Sequence, residues 1–446
     1  MKLDTIKLNL CIRGGSIGKQ NVLDLLGKEI ASFKPRVRSL EMILCHCVWF
    51  PESEIIISMA NETYPPERYN PNNISAKPFQ AVIKYLDKHG YIKFNKGDNP
   101  YTKHLIEPDV DDEAIKIIRA STFIPLQKGI ELATTLGITD KNIHYKNNSY
   151  LRFKSIKDQN GKQKLLDFVE TDKTRQMENE MRNYCAYLNK QDIRLDDTQF
   201  KHIHLTRNFT DYDNTNKLEY GGRIGGYWVS VYKEDRPRIK INGQKTKSLD
   251  YQASQYNRLY HFVTGRTYEH GDPYELYVGK QKHKIDRKIV KQVGVLALNV
   301  KETRATNALN NWHQPINKYT GKEKRDRNWS GEKQAQVYAD TLKLRGVNAL
   351  AIRKAFVEKH HIIKDYLYKA TRGGQFVSWL ESNLVFYVAY MASEWEITCL
   401  TIHDEFLVPE DKYDAMQELM YSSYCELGED FVDLRDRKEY HPIYEF

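Results

Sequence analysis

Cysteine is scarce in this chain. Six in 446 residues is too few for a disulfide scaffold of this length. Cys45 and Cys47 stand two apart in an apolar run from Met42 to Phe50. No second ligand pair lies nearby at zinc spacing, so both read as thiols packed in a core helix. Long apolar runs are missing as well: no stretch of about 18 apolar residues offers a membrane-spanning helix. The first residues, Met1-Lys2-Leu3-Asp4-Thr5, lack the basic segment and apolar core of a secretory signal. The expected compartment is therefore cytoplasmic, with no membrane partner. Internal repeats are absent too.

What is present fits a globular protein. Hydrophobic residues make up 40% and charged residues 28%, which excludes wholesale disorder. The length implies two or three domains. A net charge of +9 suits a polyanionic partner.

Three segments follow from local pattern. Residues 1–140 read as a mostly helical N-terminal domain. In it Phe79, Val82, Ile83 and Leu86 share one helical face. Gly90 stops that helix, Tyr91 to Phe94 reads as a strand, and Asn95 to Pro100 supplies turn residues before another extended piece. That order resembles the end of a winged helix-turn-helix; the plainer reading is a helix on a two-stranded ribbon. Residues 141–215 read as a polar linker hairpin followed by a helix over 171–190. Residues 216–446 hold the candidate chemistry.

Four constellations occur there in order. Gly221-Gly222-Arg223-Ile224-Gly225-Gly226 lets a backbone come close to something large and offers an arginine fork suited to phosphate. Next, the run Arg238 to Asn242 leads to a turn at Gly243. A second strand then ends at Asp250, and a helical pattern follows Tyr251. A carboxylate at a strand end is well placed for Mg²⁺, although it could equally cap the helix. Third, Arg287 and Lys291 lie about 40° apart on a helix at 100° per residue, and Asn299 lies further along. Two cations one turn apart repel unless an anion, such as a triphosphate, sits between them. Fourth, Ile397 to Ile402 and Phe406 to Pro409 flank His403-Asp404-Glu405. This reads as a tight hairpin projecting its acidic turn from a rigid platform. A helix over 411–427 backs it.

Taken together, the four resemble the ordered motifs of the family A DNA polymerases and the phage-type single-subunit RNA polymerases. Glu219-Tyr220-Gly221-Gly222-Arg223 resembles their Thr/Asp-x-x-Gly-Arg motif. Asp250-Tyr251 resembles motif A, Arg287 to Lys291 resembles motif B, and His403-Asp404-Glu405 resembles motif C. The resemblance covers roughly residues 170–446. Glu219 departs from the usual Thr or Asp, Val295 from an aromatic, and Asn299-Val300 from a Tyr-Gly pair.

The resemblance implies an α+β right-hand polymerase: a palm with an antiparallel sheet, helical fingers and a thumb, beside an N-terminal domain that is mostly helical. The helix at 171–190 would be thumb-like. Its cofactor would be two Mg²⁺ ions, with Mn²⁺ as a substitute, held by Asp250, Asp404 and the Tyr251 carbonyl. Lys291 would join Asp250 and Asp404 as a catalytic residue. Arg287, Lys291, Gln255 and Asn299 would bind the nucleotide, and Arg223, His403 and Glu405 the primer or template. Partners would be a DNA template, a primer or nascent strand, nucleoside triphosphates and an accessory protein of unknown identity, in a bacterial or phage-infected cell. Gln255, five residues after Asp250, would face the sugar 2′ carbon. Its bulk favours dNTPs and hence DNA synthesis, while the lack of a proofreading domain suits an RNA polymerase or primase. A basic loop with two aromatics, Lys318 to Trp329, suits a single strand. Two rivals remain: a DNA-binding winged-helix regulator on a degenerate polymerase fold, and a metal-dependent nuclease.

Overall fold

The structure, a computed structural model, describes residues 4–7, 10, 12–14, 17–59, 67–97, 121–145, 149–158, 163–279, 282–303, 305, 325–326, 329–330 and 348–436. It is a mixed α+β protein with several antiparallel sheets. The chain divides into two compact units, Met1–Ser149 with Lys164–Asp167, and Tyr150–Gln163 with Phe168–Phe446. Among the described residues no helix is long and apolar enough to cross a membrane.

In the first unit, helices α1 (Lys19–Leu26), α2 (Lys28–Ala31), α3 (Lys34–Trp49), α4 (Ala76–Lys88) and α5 (Gln127–Thr135) accompany a four-stranded sheet. Its order is β1 (Asp4–Lys7), β3 (Ser53–Ile57), β5 (Ser121–Pro125), β4 (Ile92–Asn95), and only the β1–β3 pair is parallel. A short strand, β2 (Ile12–Arg13), pairs separately with β6 (His144–Tyr145). Phe79, Val82, Ile83 and Leu86 of α4 are all buried, as their spacing predicts. Gly90 then adopts φ +71° and ends the helix. The strand that follows joins the four-stranded sheet through β5. The extended piece expected beyond Pro100 lies outside the described residues. Cys45 and Cys47 are fully buried in α3. Burial pushes both thiols up, Cys47 to about 12, so neither ionises at neutral pH.

The second unit carries α6 (Asp172–Leu188), which Thr171 caps by accepting the Thr174 amide. It also holds a parallel pair, β7 (Leu151–Ser155) with β11 (Thr206–Asp211), and β12 (Gly221–Gly225) antiparallel to β11. A six-stranded antiparallel sheet dominates it. The order is β10 (Thr198–Gln199), β9 (Ile193–Leu195), β13 (Ile239–Ile241), β14 (Gln244–Asp250), β20 (Glu405–Pro409), β19 (Leu400–Ile402). Helices α7 (Ser254–Thr264), α8 (Arg287–Asn299), α9 (Ala349–Lys359), α10 (Ala370–Glu394) and α11 (Tyr413–Asp436) complete it. The core joins strand residues Ile241, Leu249 and Phe406 to helix residues Leu384, Val388 and Met416.

The sequence places an apolar helix from Phe376 to Trp395, with Gly373-Gly374-Gln375 ahead of it; the helix is there, but α10 starts earlier, at Ala370, and runs through the glycines. They serve close packing. A Cβ on Gly374 would stand 2.2 Å from Asn299 Oδ1 and 3.0 Å from the Leu298 carbonyl oxygen at the end of α8. Only glycine lets the two helices approach this closely.

Candidate active site

The ladder between β14 and β20 places Asp250 directly opposite Glu405. Ile402 also pairs with Glu405 across the β19–β20 hairpin, leaving His403 and Asp404 as a two-residue loop. His403 takes φ +61° while Asp404 does not go positive, the pattern of a type II′ turn. That turn brings Asp404 to the strand end where Asp250 sits. Asp250 is accessible to solvent but hemmed in by protein. Burial, the Asp404 carboxylate and Glu405 push its carboxyl up to about 7, against the pull of Lys291. A second carboxylate at that strand end disfavours ionisation of Asp250 and leaves a site short of positive charge.

Glu405 has its own partners. Arg236 donates to its Oε2, and the Ser248 hydroxyl donates to Oε1 at 2.6 Å. Its charge is thus answered within the fold, and the excess falls on Asp250 and Asp404. His403 is held below its ordinary value by burial, reinforced by Arg223 and Arg236; it is neutral at physiological pH. Tyr251 turns its ring to Phe406 and Tyr424 at centroid distances of 6.2 and 5.7 Å. Its hydroxyl donates to the Met420 carbonyl at 2.7 Å, so the residue after Asp250 is bolted to α11.

Helix α8 begins at Arg287 because Asp286 caps it, accepting the Lys288 amide at 2.8 Å. Its apolar residues Ile289, Val290, Val293, Ala297 and Leu298 are buried, while Arg287, Lys291 and Val295 are exposed at four-residue spacing. Lys291 reaches Asp250 electrostatically. Arg287 does not join that group: its Nε donates to Asp272 at 2.5 Å, with its guanidinium 5.3 Å from the Tyr274 ring centre. Asn299 is the last residue of the same helix. It donates to the Val295 carbonyl at 2.8 Å and abuts Gly374.

The glycine-rich strand β12 supplies Arg223. Its Nη2 lies 2.5 Å from Oε2 of Glu381 on α10, and Gln255 Nε2 stands 3.4 Å from the same oxygen. Glu381 is 1% exposed. Burial and the neighbouring Asp404 raise its pKa, and Arg223 opposes them. Gly222 permits the approach, since a Cβ there would meet Ser382 Oγ at 2.6 Å. Glu381, Arg236 and Asp272 are the site residues that the sequence reading did not single out. The one available signal was a lone charged residue in the otherwise uncharged stretch from Phe376 to Tyr390. The loop from Lys318 to Trp329 lies outside the described residues, apart from a short pairing of Arg325–Asp326 with Trp329–Ser330.

Among the described residues no group of three or more His, Cys, Asp or Glu stands ready to hold a metal ion; the acidic centre is a pair. Comparison of the chain with protein-family models, curated proteins and solved structures found no match.

Proposed function

We propose that this protein is a template-directed nucleotidyltransferase on the right-hand plan of the family A DNA polymerases and phage-type RNA polymerases. One observation carries the reading. Asp250 and Asp404, 154 positions apart, meet at one end of adjoining strands, and Lys291 from a separate helix interacts with Asp250. The six-stranded sheet corresponds to a palm, α8 to the fingers helix and α6 to a thumb element.

The donor set suits Mg²⁺. That ion is commonly held by one or two carboxylates, with water and substrate phosphates completing its shell. An elevated Asp250 is what an acidic pair shows when it lacks a cation. Asp250, Asp404 and the Tyr251 carbonyl would hold two ions, whose role is to neutralise charge on the phosphates and activate the attacking hydroxyl. The chain's own groups do the rest. Lys291 binds the triphosphate and can protonate the departing pyrophosphate, and Arg287 joins it on leaving Asp272. Arg223 and His403 face the primer or template, Glu405 braces the hairpin, and Asn299 stands further along the nucleotide helix. Gln255, two residues into α7, blocks the 2′ position and favours DNA synthesis from a DNA template. A DNA-directed RNA polymerase or primase is the alternative.

Primer extension tests this. The parent should extend a primed template with Mg²⁺ and dNTPs. Asp250→Ala and Asp404→Ala should each abolish extension while template binding stays near that of the parent. Extension by either variant at the parent rate defeats the proposal. Incorporation of rNTPs alone selects the RNA polymerase reading. Binding of duplex DNA with no response to nucleotide or Mg²⁺ selects a winged-helix regulator, and degradation of labelled DNA without nucleotides selects a nuclease.

A further inference from the structure

The N-terminal unit contains a cavity of about 740 Å³, built from its own residues. Helix α3 forms one wall. Lys34, Val37, Arg38, Glu41 and Met42 all line the cavity, and their spacing of i, i+3, i+4, i+7 and i+8 is one helical face. The face is graded. Lys34 and Arg38 stand in the first turns of α3, where the helix dipole adds positive potential. Glu41 lies about 10 Å further along the axis than Lys34, from seven residues at 1.5 Å each. Arg13 and Lys19 also line the cavity, so four cations face one carboxylate.

That carboxylate is unusual. Glu41 is 9% exposed, and its Oε1 accepts no hydrogen bond among the described residues. Arg13 Nε stands 3.4 Å from it. Burial raises the Glu41 pKa, against Arg13 and the Gly14 amide. On that oxygen the only charge partner is this long ion pair, so a ligand N–H placed there would complete its hydrogen bonding. Ile12, Ile17 and Met42 beside it are buried and apolar. A bare phosphate explains the cations but is repelled by Glu41. An apolar ligand explains the aliphatic lining but wastes the cations. A flat ring bearing an amine, joined to a phosphate, uses all three features. The volume lies within the range of small-molecule sites.

We propose that this cavity binds a nucleoside 5′-phosphate, with its base inward donating to Glu41 and its phosphate at the Lys34–Arg38 end. The ligand is either a free nucleotide or the 5′-terminal nucleotide of a strand, which share this chemistry. The site is independent of Asp250 and Asp404 and stands whether or not the chain is a polymerase.

Calorimetry on the full chain in EDTA tests it. The probes are the four nucleoside 5′-monophosphates, ribose 5-phosphate, and a short oligonucleotide with and without a 5′-phosphate. At least one base-bearing 5′-phosphate should bind more tightly than ribose 5-phosphate. Arg38→Glu and Lys34→Glu should each weaken it tenfold or more. Glu41→Leu should erase the advantage over ribose 5-phosphate, and Lys93→Glu, an exposed cation outside the cavity, should change nothing. Binding of the phosphorylated oligonucleotide but not of monophosphates assigns the site to a strand terminus; the reverse assigns it to free nucleotide. The proposal is overturned if no probe binds at millimolar concentration, if ribose 5-phosphate binds as well as every nucleotide, or if neither charge reversal alters affinity. Lys34 is exposed, so its variant keeps the test informative should Arg38→Glu fail to fold.

Discussion

Arg223 on strand β12 and Glu381 on helix α10 form a salt bridge at 2.5 Å, with the carboxylate buried and the guanidinium partly open to solvent. The asymmetry sets what mutation does. Removing the arginine strands a buried charge, which costs on the order of 3–5 kcal/mol when no proton is taken up. Replacing the acid by glutamine keeps its shape and leaves a partly solvated arginine. Arg223→Ala should therefore lower the melting temperature more than Glu381→Gln, and the double variant should recover part of the loss. Thermal unfolding of the four proteins checks this. A double variant that merely sums the single losses rules out coupling between the two.

Burial together with acidic repulsion at Asp250 gives a metal-linked stability. Its carboxyl sits at about 7, against an ordinary 3.8. Between those pH values the folded chain keeps a proton that the unfolded chain has released. Stability from this group therefore declines as pH climbs through the window, and the full penalty stands above it. A divalent cation relieves the penalty but must compete with the proton. Mg²⁺ should raise the melting temperature more at about pH 8 than at about pH 5.5. Asp250→Asn should raise the melting temperature of the metal-free protein at the higher pH and abolish the Mg²⁺ increment. Equal Mg²⁺ shifts at both pH values would contradict this account.

Arg287 is engaged with Asp272 across a partly exposed contact. Nucleotide must draw it away, and such surface pairs contribute about 0–1 kcal/mol. Asp272→Asn should then lower the KM for nucleotide by about twofold to fivefold with kcat little changed. Steady-state kinetics decides; an unchanged or raised KM would show that Arg287 does not move to the triphosphate.

His360 predicts acid sensitivity unrelated to catalysis. It is fully buried, with Nδ1 3.0 Å from the Tyr260 hydroxyl and Nε2 3.0 Å from the Pro273 carbonyl. The neutral ring satisfies both by accepting from Tyr260 and donating to Pro273. Burial lowers its pKa to about 4. Between that value and the ordinary 6.5 the unfolded chain binds the extra proton, so stability falls as pH drops through the window. The loss should approach about 2–3 kcal/mol at its lower end. Urea denaturation across this range should show a shallower acid limb in His360→Gln than in the parent.

The parts of the site that were legible in sequence are those written in local pattern. The strand ending at Asp250, the hairpin around His403-Asp404 and helix α8 all stand where turn residues, β-rich runs and helical spacing locate them. The partners Glu381, Arg236 and Asp272 were not legible. Glu381 joins Arg223 across 158 positions and Arg236 joins Glu405 across 169, distances over which spacing carries no signal. The start of α10 was set too late because Gly373 and Gly374 are weak helix formers taken alone, whereas their reason is a neighbouring helix invisible in the segment itself.

Because Asp250 and Asp404 are fixed by two tight turns, Asn242-Gly243 and His403-Asp404, their alignment depends on ladder phase. Side chains alternate faces along a strand, so a shift of one residue in β14 would send Asp250 to the opposite side and bring Leu249 or Tyr251 into its place. An added or deleted residue in either turn should thus silence the protein while leaving the sheet assembled. Natural length variation in this chain should therefore be sought in its surface loops and not in those two hairpins.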